Sequence, residues 1–358
     1  MTERFGVAVV GGGIGTQHMD GFVKLPDQFE LVAFCDIDAE KARDVAGRYG
    51  IGAALTSYEE VLARDDVDIV DLCTPSHLHF AQTRAALEAG KHVICEKPLG
   101  GSLAEVDELA AVAERTGRHV SPIFQYRFGN GYRRLLHLRD KDLLGKTYLA
   151  VVETHWRRGA KYYAAPWRGR LATELGGTLV THAIHVHDML THALGPVRSV
   201  HARTATRVNP IETEDCAVVS LEMADGALAA LSVTMGAASE HSRLRFYFEK
   251  VTVESNHEAY RPHLEPWRFE TSDAAAQAEV ETGLADFVPT LEHFEGHFDR
   301  LHAALTRGAP PPVTIADSRA SIELLTAAYY SARTGEAVPL PIGLDHPYYH
   351  GWREAQGG

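Results

Sequence analysis

Two textures of apolar and polar positions divide the chain. Up to about residue 125, short unbroken apolar runs alternate with stretches whose apolar residues recur every three or four positions. The runs at 5–10 (FGVAVV), 30–35 (ELVAFC), 67–73 (VDIVDLC), 92–95 (HVIC) and 119–124 (HVSPIF), with a shorter one at 53–55, read as strands covered on both faces. Between them the spacing predicts helices over 16–25, 39–49, 58–63, 80–89 and 103–116. Gly90 and Gly117 stand where two of these stop, the place glycine takes just past a helix. Repeated strand–helix units of this length predict a doubly wound parallel sheet.

From 126 the pattern changes. A short helix over 131–138 is followed by longer β-rich segments at 146–156, 197–207, 215–223, 227–235, 243–249 and 251–255. They predict an α+β domain with a large, mostly antiparallel open sheet, and one helix inserted around 177–194. Residues 256–290 are acidic, alanine-rich and irregular, and are expected to be a surface excursion. Helices follow over 291–306 and 317–334. The fold class is thus α/β, with one domain over 1–125 and a second, α+β, over 126–358.

Composition narrows the possibilities. With 358 residues and 45% apolar content, the chain can bury more than one core. A formal charge of −13 argues against a nucleic-acid surface, which needs a basic stripe. No apolar run approaches the roughly 18 residues of a membrane span. The N-terminus enters a strand almost at once, without the build of a signal peptide. Cys35, Cys73, Cys95 and Cys216 form no CxxC pair, and most sit at strand ends, as expected of reduced thiols in the cytoplasm.

The first apolar run leads into Gly11-Gly12-Gly13-Ile14-Gly15 and then a helix. Glycines let a backbone approach closely, and the free N–H groups of a helix start favour a pyrophosphate. Asp36 stands at the end of the second strand, about 20 residues on, where a dinucleotide-binding Rossmann unit places the acid that binds a ribose diol. A carboxylate there repels a 2′-phosphate, and the next residue, Ile37, offers that phosphate nothing. NAD is expected in preference to NADP.

The strand over 92–95 runs into Glu96-Lys97-Pro98. A lysine at the carboxyl end of a buried parallel strand is a costly place for a charge, and that edge is where ligands bind in open α/β sheets. A structural ion pair with Glu96 is the alternative reading.

These segments resemble the glucose–fructose oxidoreductase/inositol dehydrogenase (Gfo/Idh/MocA) family. The likeness is carried by Thr74-Pro75 with His79, Ala89-Gly90-Lys91-His92-Val93 and Glu96-Lys97-Pro98. In the second domain it is carried by Gly176-Gly177 with Leu179, Ala183 with His185 and Asp188, and Leu194-Gly195. The resemblance implies an NAD(P)-dependent oxidoreductase of sugars, cyclitols or their derivatives, forming homodimers or homotetramers through the second domain's sheet. It places Gly11, Gly12, Gly13, Ile14, Asp36, Ile37, Thr74, Pro75, His79, Glu96 and Lys97 at the cofactor. Trp167 and Arg168 fall at cofactor and substrate, Arg127 near the substrate, and Lys97 on both nicotinamide ribose and substrate hydroxyl. His185 matches the family's catalytic histidine. Two departures stand out. The family's Gly-x-Gly-x-x-Gly-x-x-His fits here either through Gly12, Gly15 and His18, with Val10 at the first glycine, or through Gly11 and Gly13, with Thr16 at the third. The aspartate that many relatives carry four residues before the histidine is Thr181.

Oxidising a secondary alcohol needs a base, and a donor to the developing alkoxide. Lys97 suits the donor role and His185 the base, although Lys97 itself can be the base. On a helix, His182, His185 and Asp188 share one flank, so Asp188 or His182 is expected to orient His185. Glu153, His155 and Arg157 share one strand face, and His155 is expected to reach the substrate. Tyr162-Tyr163 and Trp167-Arg168 supply rings and a guanidinium suited to a pyranose. The expected substrate residues are therefore Arg127, His155, Tyr163, Trp167, Thr181, His182 and His185. Histidine spacings at 77/79 and 182/185/187/192 look ligand-like, but no cysteine or carboxylate accompanies them in a metal motif, and no metal is expected. The expected activity is NAD-dependent hydride removal from a ring secondary alcohol of a sugar, glycoside or cyclitol. A glycosidase that oxidises C3 transiently is the alternative.

Overall fold

Six parallel strands, β1 (Phe5–Val10), β2 (Phe29–Cys35), β3 (Ala53–Leu55), β4 (Ile69–Leu72), β5 (His92–Cys95) and β6 (Val120–Pro122), pair in the order β3-β2-β1-β4-β5-β6. The order reverses between β1 and β4, which opens a crevice at the carboxyl ends of the strands there. Every residue of β1 is buried, as its unbroken apolar run requires. Helices Ala39–Tyr49 and Leu103–Thr116 start on the side chains of Asp38 and Ser102 and stop at Gly50 and Gly117, both left-handed. The computed structural model describes residues 3–352.

The chain through Ile123 forms one compact unit together with Phe294–Arg319. This departs from a second domain running unbroken over 126–358. The cause is the apolar face of helix His293–Arg307: Phe294, Phe298 and Leu301 enter the core built by Val7, Met19, Phe22 and Phe34. Phe298 stacks on Phe22 at 4.0 Å, and a side chain at Gly21 would come within 3.0 Å of the Phe298 ring.

Phe124–His293 and the chain from Ala320 on form the other unit. Its strands are β7 (Thr147–Arg157), β8 (Val197–Ala205), β9 (Cys216–Met223), β10 (Leu228–Thr234), β11 (Gly236–Phe248), β12 (Val251–Glu254), β13 (Arg268–Thr271) and β14 (Val338–Pro339). They pair in the order β13-β12-β11-β7-β10-β9-β8-β14, antiparallel throughout except β7 with β10. Alternation buries Ala150, Val152, Thr154 and Trp156 of β7 on one face, while on the other Val218 and Leu228 are each 56% exposed. Residues 256–290 are not the irregular excursion expected. They hold β13 and a helix, Ala274–Leu284, started by the Asp273 side chain, and they bury His263 and Trp267.

Candidate active site

At the end of β1, Gly11 has φ +100, and a side chain there would press to 2.5 Å from the Cys73 carbonyl. Gly13 has nothing within 4 Å of where its Cβ would be, leaving an open cradle. Gly15 opens helix Gly15–Phe22, and a Cβ on it would come within 3.0 Å of Val9 and 3.3 Å of Cys73. Turn, open approach and close helix packing thus fall on Gly11, Gly13 and Gly15, which explains why neither register of the fingerprint fits whole. Asp36 accepts from the Gly12 N–H at 2.9 Å and from the Asp38 N–H at 3.1 Å. Burial would raise its carboxyl, but Lys41 and these N–H groups outweigh that and hold it below the usual range. Ile37 is 95% exposed beside it. Glycine cradle, helix start and fixed carboxylate have the chemistry that a dinucleotide's pyrophosphate and ribose require. Lys41, which sequence reading passed over, pairs with Asp36 and stands where a 2′-phosphate would also find a cation.

The ends of β4 and β5 are tied together by His79. Its Nδ1 lies 2.7 Å from the Pro98 carbonyl and its Nε2 2.9 Å from the Thr74 carbonyl. Burial pulls its pKa down against both carbonyls, and the neutral ring that results can donate to only one of them. The Thr74 hydroxyl is held by Gln82 at 2.6 Å, just before the Pro75 turn. The Lys97–Pro98 peptide is cis. Glu96 is buried and accepts from the Lys97 N–H at 3.2 Å and from His18 Nε2 at 3.2 Å. Burial raises the Glu96 carboxyl, but His18 and Lys97 outweigh it, so the group is held below the usual range.

In the second unit, Gly176 and Gly177 lead into a π-helical turn, Leu179–Ala183, and then helix Ile184–Leu194. A side chain on Gly177 would fall 1.9 Å from the Glu214 carbonyl. Glu214 accepts from the Gly177 and Leu179 N–H groups and from the Tyr329 hydroxyl, at 2.9 to 3.0 Å. Burial nonetheless pushes its carboxyl up to about 7. The π turn breaks the helical count, so His182 and His185 do not share one flank. His182 meets the Trp156 and Tyr162 rings, whereas His185 packs on Tyr126 at 4.7 Å and Phe124 at 6.5 Å.

Three of the expected residues have partners within this unit. Thr181 donates to the Gly177 carbonyl at 2.8 Å, and its hydroxyl lies 2.6 Å from His182 Nδ1. Asp188, expected to orient His185, takes Arg127 in a buried bidentate pair at 2.6 and 2.7 Å. Arg127 therefore spends two donors on the helix that carries His185. His155 lies on the opposite face of β7 from Thr154 and Trp156. It bonds Ser232 at 2.9 Å and meets the His241 ring, and burial and His241 lower its pKa. Trp156, one residue along and on the other face, is the side chain that meets the His182 ring, and sequence reading passed over it.

The loop over 158–170 is a layered cluster. Arg158 lies over the rings of Trp156, Tyr162 and Tyr260, and Arg168 over Tyr162 and Trp167. Glu174 holds Arg168 at 2.8 Å, and Tyr163 sits edge-on to Tyr162. His18 and Asp71, both fully buried, also went unremarked as site residues, although His18 ends the family's glycine motif. His187 is buried and pushed down to about 3 by that burial, which suits a neutral core histidine.

The profile of the Oxidoreductase family, NAD-binding Rossmann fold (GFO_IDH_MocA), matches residues 5–124, and that of the GFO/IDH/MocA C-terminal domain matches 132–254. The WlbA dehydrogenase of Chromobacterium violaceum, solved in complex with NADH and UDP-GlcNAcA, is 31% identical. The match covers 97% of this chain and 98% of that one, with a TM-score of 0.84. The D-glucoside 3-dehydrogenase of Escherichia coli (strain K12) is 28% identical over 56% of this chain and 58% of its own. A glycosyl hydrolase family 109 protein of Streptomyces niveus is 32% identical over 53% of this chain and 40% of its own.

Proposed function

Because the chain belongs to the Gfo/Idh/MocA oxidoreductase family, with an NAD-binding Rossmann domain, we propose that it oxidises a ring secondary alcohol of a sugar, glycoside or cyclitol. The observation that carries this reading is Lys97 at the carboxyl end of β5, in the same sheet whose β1 and β2 end in the glycine cradle and Asp36. When bound, NAD supplies the hydride acceptor. The chain's part is then to hold the dinucleotide with Gly11–Ile14 and Asp36, and to manage one proton. Lys97 donates to the developing alkoxide through a compact, rotatable ammonium. His185 takes the hydroxyl proton, its ring oriented by Tyr126 and its helix by Arg127. The aromatic and guanidinium cluster from Trp156 to Arg168 supports stacking on a pyranose, with Tyr163, Trp167 and His182 among its members.

We assign NAD as the preferred cofactor on the strength of Asp36. Asp36→Ala is expected to raise the dissociation constant for NAD about tenfold or more, the cost of losing hydrogen bonds to a charged acceptor. Lys41, released from its ion pair, then favours NADP relative to NAD. Titrating both cofactors by fluorescence checks this, and unchanged constants would mean the strand end is not the ribose site.

The open face of the second unit's sheet carries a shallow groove lined by Val151, His201, Arg203, Val218 and Ser220, with the exposed pair Leu228 and Leu149 on the same face. We read it as the homodimer or homotetramer face. Among the described residues no helix is long and apolar enough to cross a membrane, and the free cysteines fit the cytoplasm.

A second reading is favoured by the glycosyl hydrolase relative: transient C3 oxidation, loss of the aglycone, hydration and reduction. A panel of pyranoses, glycosides and inositols separates the two. Stoichiometric NADH supports the dehydrogenase; released aglycone with catalytic NAD and no net NADH supports the hydrolase.

A further inference from the structure

Behind Lys97 runs a buried line of charged groups that the reaction as described does not use. His18 is wholly enclosed, its ring walled by Phe294 at 4.3 Å and Phe298 at 5.7 Å. Its Nδ1 faces both Asp71 oxygens at 2.9 and 3.0 Å, and its Nε2 faces Glu96 at 3.2 Å. Carboxylates only accept, so the ring satisfies both when both nitrogens carry protons. Burial alone would strip that charge, but the charge and hydrogen bonds of Asp71 oppose it, and the ring's pKa stands above the ordinary value. Cys73 lies 3.5 Å from Nδ1 and 3.7 Å from Asp71; its thiol, pushed up to about 12 by burial, stays protonated. Beside Glu96 stand Lys97 and His79. Along β4, helix Gly15–Phe22 and β5, charge therefore alternates: Asp71, His18, Glu96, Lys97.

We propose that His18, as an imidazolium, is a positioning residue that shares Glu96 with Lys97 and so loosens the hold of Glu96 on the lysine's proton. A lone buried carboxylate beside an ammonium favours the charged form and so holds its proton. His18 draws on the same carboxylate and adds its own positive charge behind it. Asp71 keeps His18 charged. The inference rests on the reaction proposed above with Lys97, rather than His185 alone, exchanging a proton in it, and its test is chosen to be separable from that role.

The test is competitive labelling of Lys97 in cofactor-free protein across pH, read by mass spectrometry. His18→Gln and Asp71→Asn are expected to raise the half-labelling pH by about one unit, because Glu96 then serves Lys97 alone. Glu96→Gln should lower it by about one unit or more. Adding His18→Gln to Glu96→Gln should move it less than His18→Gln does alone, since the effect passes through Glu96. A purely structural His18 would lower the melting temperature and leave the labelling pH unmoved, which overturns the proposal. Where a variant does not fold, nitrogen-15 NMR of the wild-type ring decides. Both ring nitrogens protonated at about pH 8 supports the imidazolium; a neutral ring, or a stoichiometric metal on His18, Asp71 and Cys73, overturns it. A protein that labels as expected but oxidises no sugar would remove the proposed function and leave the charge line standing.

Discussion

Lys97→Ala is expected to cut turnover about a thousandfold or more, the upper part of what a positioned proton donor or acceptor contributes. NAD affinity should stay near the wild-type value, because the glycine cradle and Asp36 lie at the ends of β1 and β2 and not on β5. Lys97→Arg sharpens the result. Arginine keeps the positive charge but does not give up its proton. If Lys97 exchanges a proton, the arginine variant is nearly as inactive as the alanine variant; if it only stabilises charge, much of the rate returns. Retained turnover in the alanine variant would remove Lys97 from the chemistry.

The second large effect is on stability. Asp188→Asn is expected to destabilise the protein by about 3–5 kcal/mol, the usual cost of leaving one member of a buried ion pair without its partner. Asp188 and Arg127 are 2% and 7% exposed and joined by two hydrogen bonds, so neither finds water instead. The pair fastens helix Ile184–Leu194 to the turn Gln125–Phe128, whose Tyr126 ring packs on His185. Replacing both as Arg127→Met/Asp188→Leu should recover most of the stability, while turnover stays low because His185 has lost its register. Denaturant unfolding of the two variants checks the first part. An Asp188→Asn loss under about 1 kcal/mol, typical of an exposed pair, would contradict the burial argument.

Much of the first unit was legible because its signals are local. Unbroken apolar runs such as FGVAVV can only be strands buried on both faces, and Gly50 and Gly117 mark helix ends through a left-handed conformation that other residues avoid. Asp36 was legible by its distance from the glycines. What stayed hidden depends on partners far away in sequence. The stripe Phe294, Phe298 and Leu301 announces an amphipathic helix but not that Phe22 and Phe34 receive it. On β7, alternation groups His155 with Glu153 correctly, yet nothing in the strand says which face the helix bearing His185 covers. The π-helical turn at Leu179–Ala183 shifts His182 off the expected flank, and it follows Gly177, which is pressed on Glu214, 37 residues away in sequence. Arg127 and Asp188 are 61 residues apart, so their pairing leaves no local trace. His18 and Asp71 are 53 apart, and only the fold brings them together beneath Glu96.

The most direct measurement of the central claim follows the hydrogen itself. The wild-type protein is incubated with NAD and the ring-deuterated form of a sugar that supports turnover, and the label is located by NMR. The account predicts deuterium at the nicotinamide C4, one per keto sugar formed. Deuterium returned to the sugar with the aglycone released, or lost to water with no reduced cofactor, would contradict it.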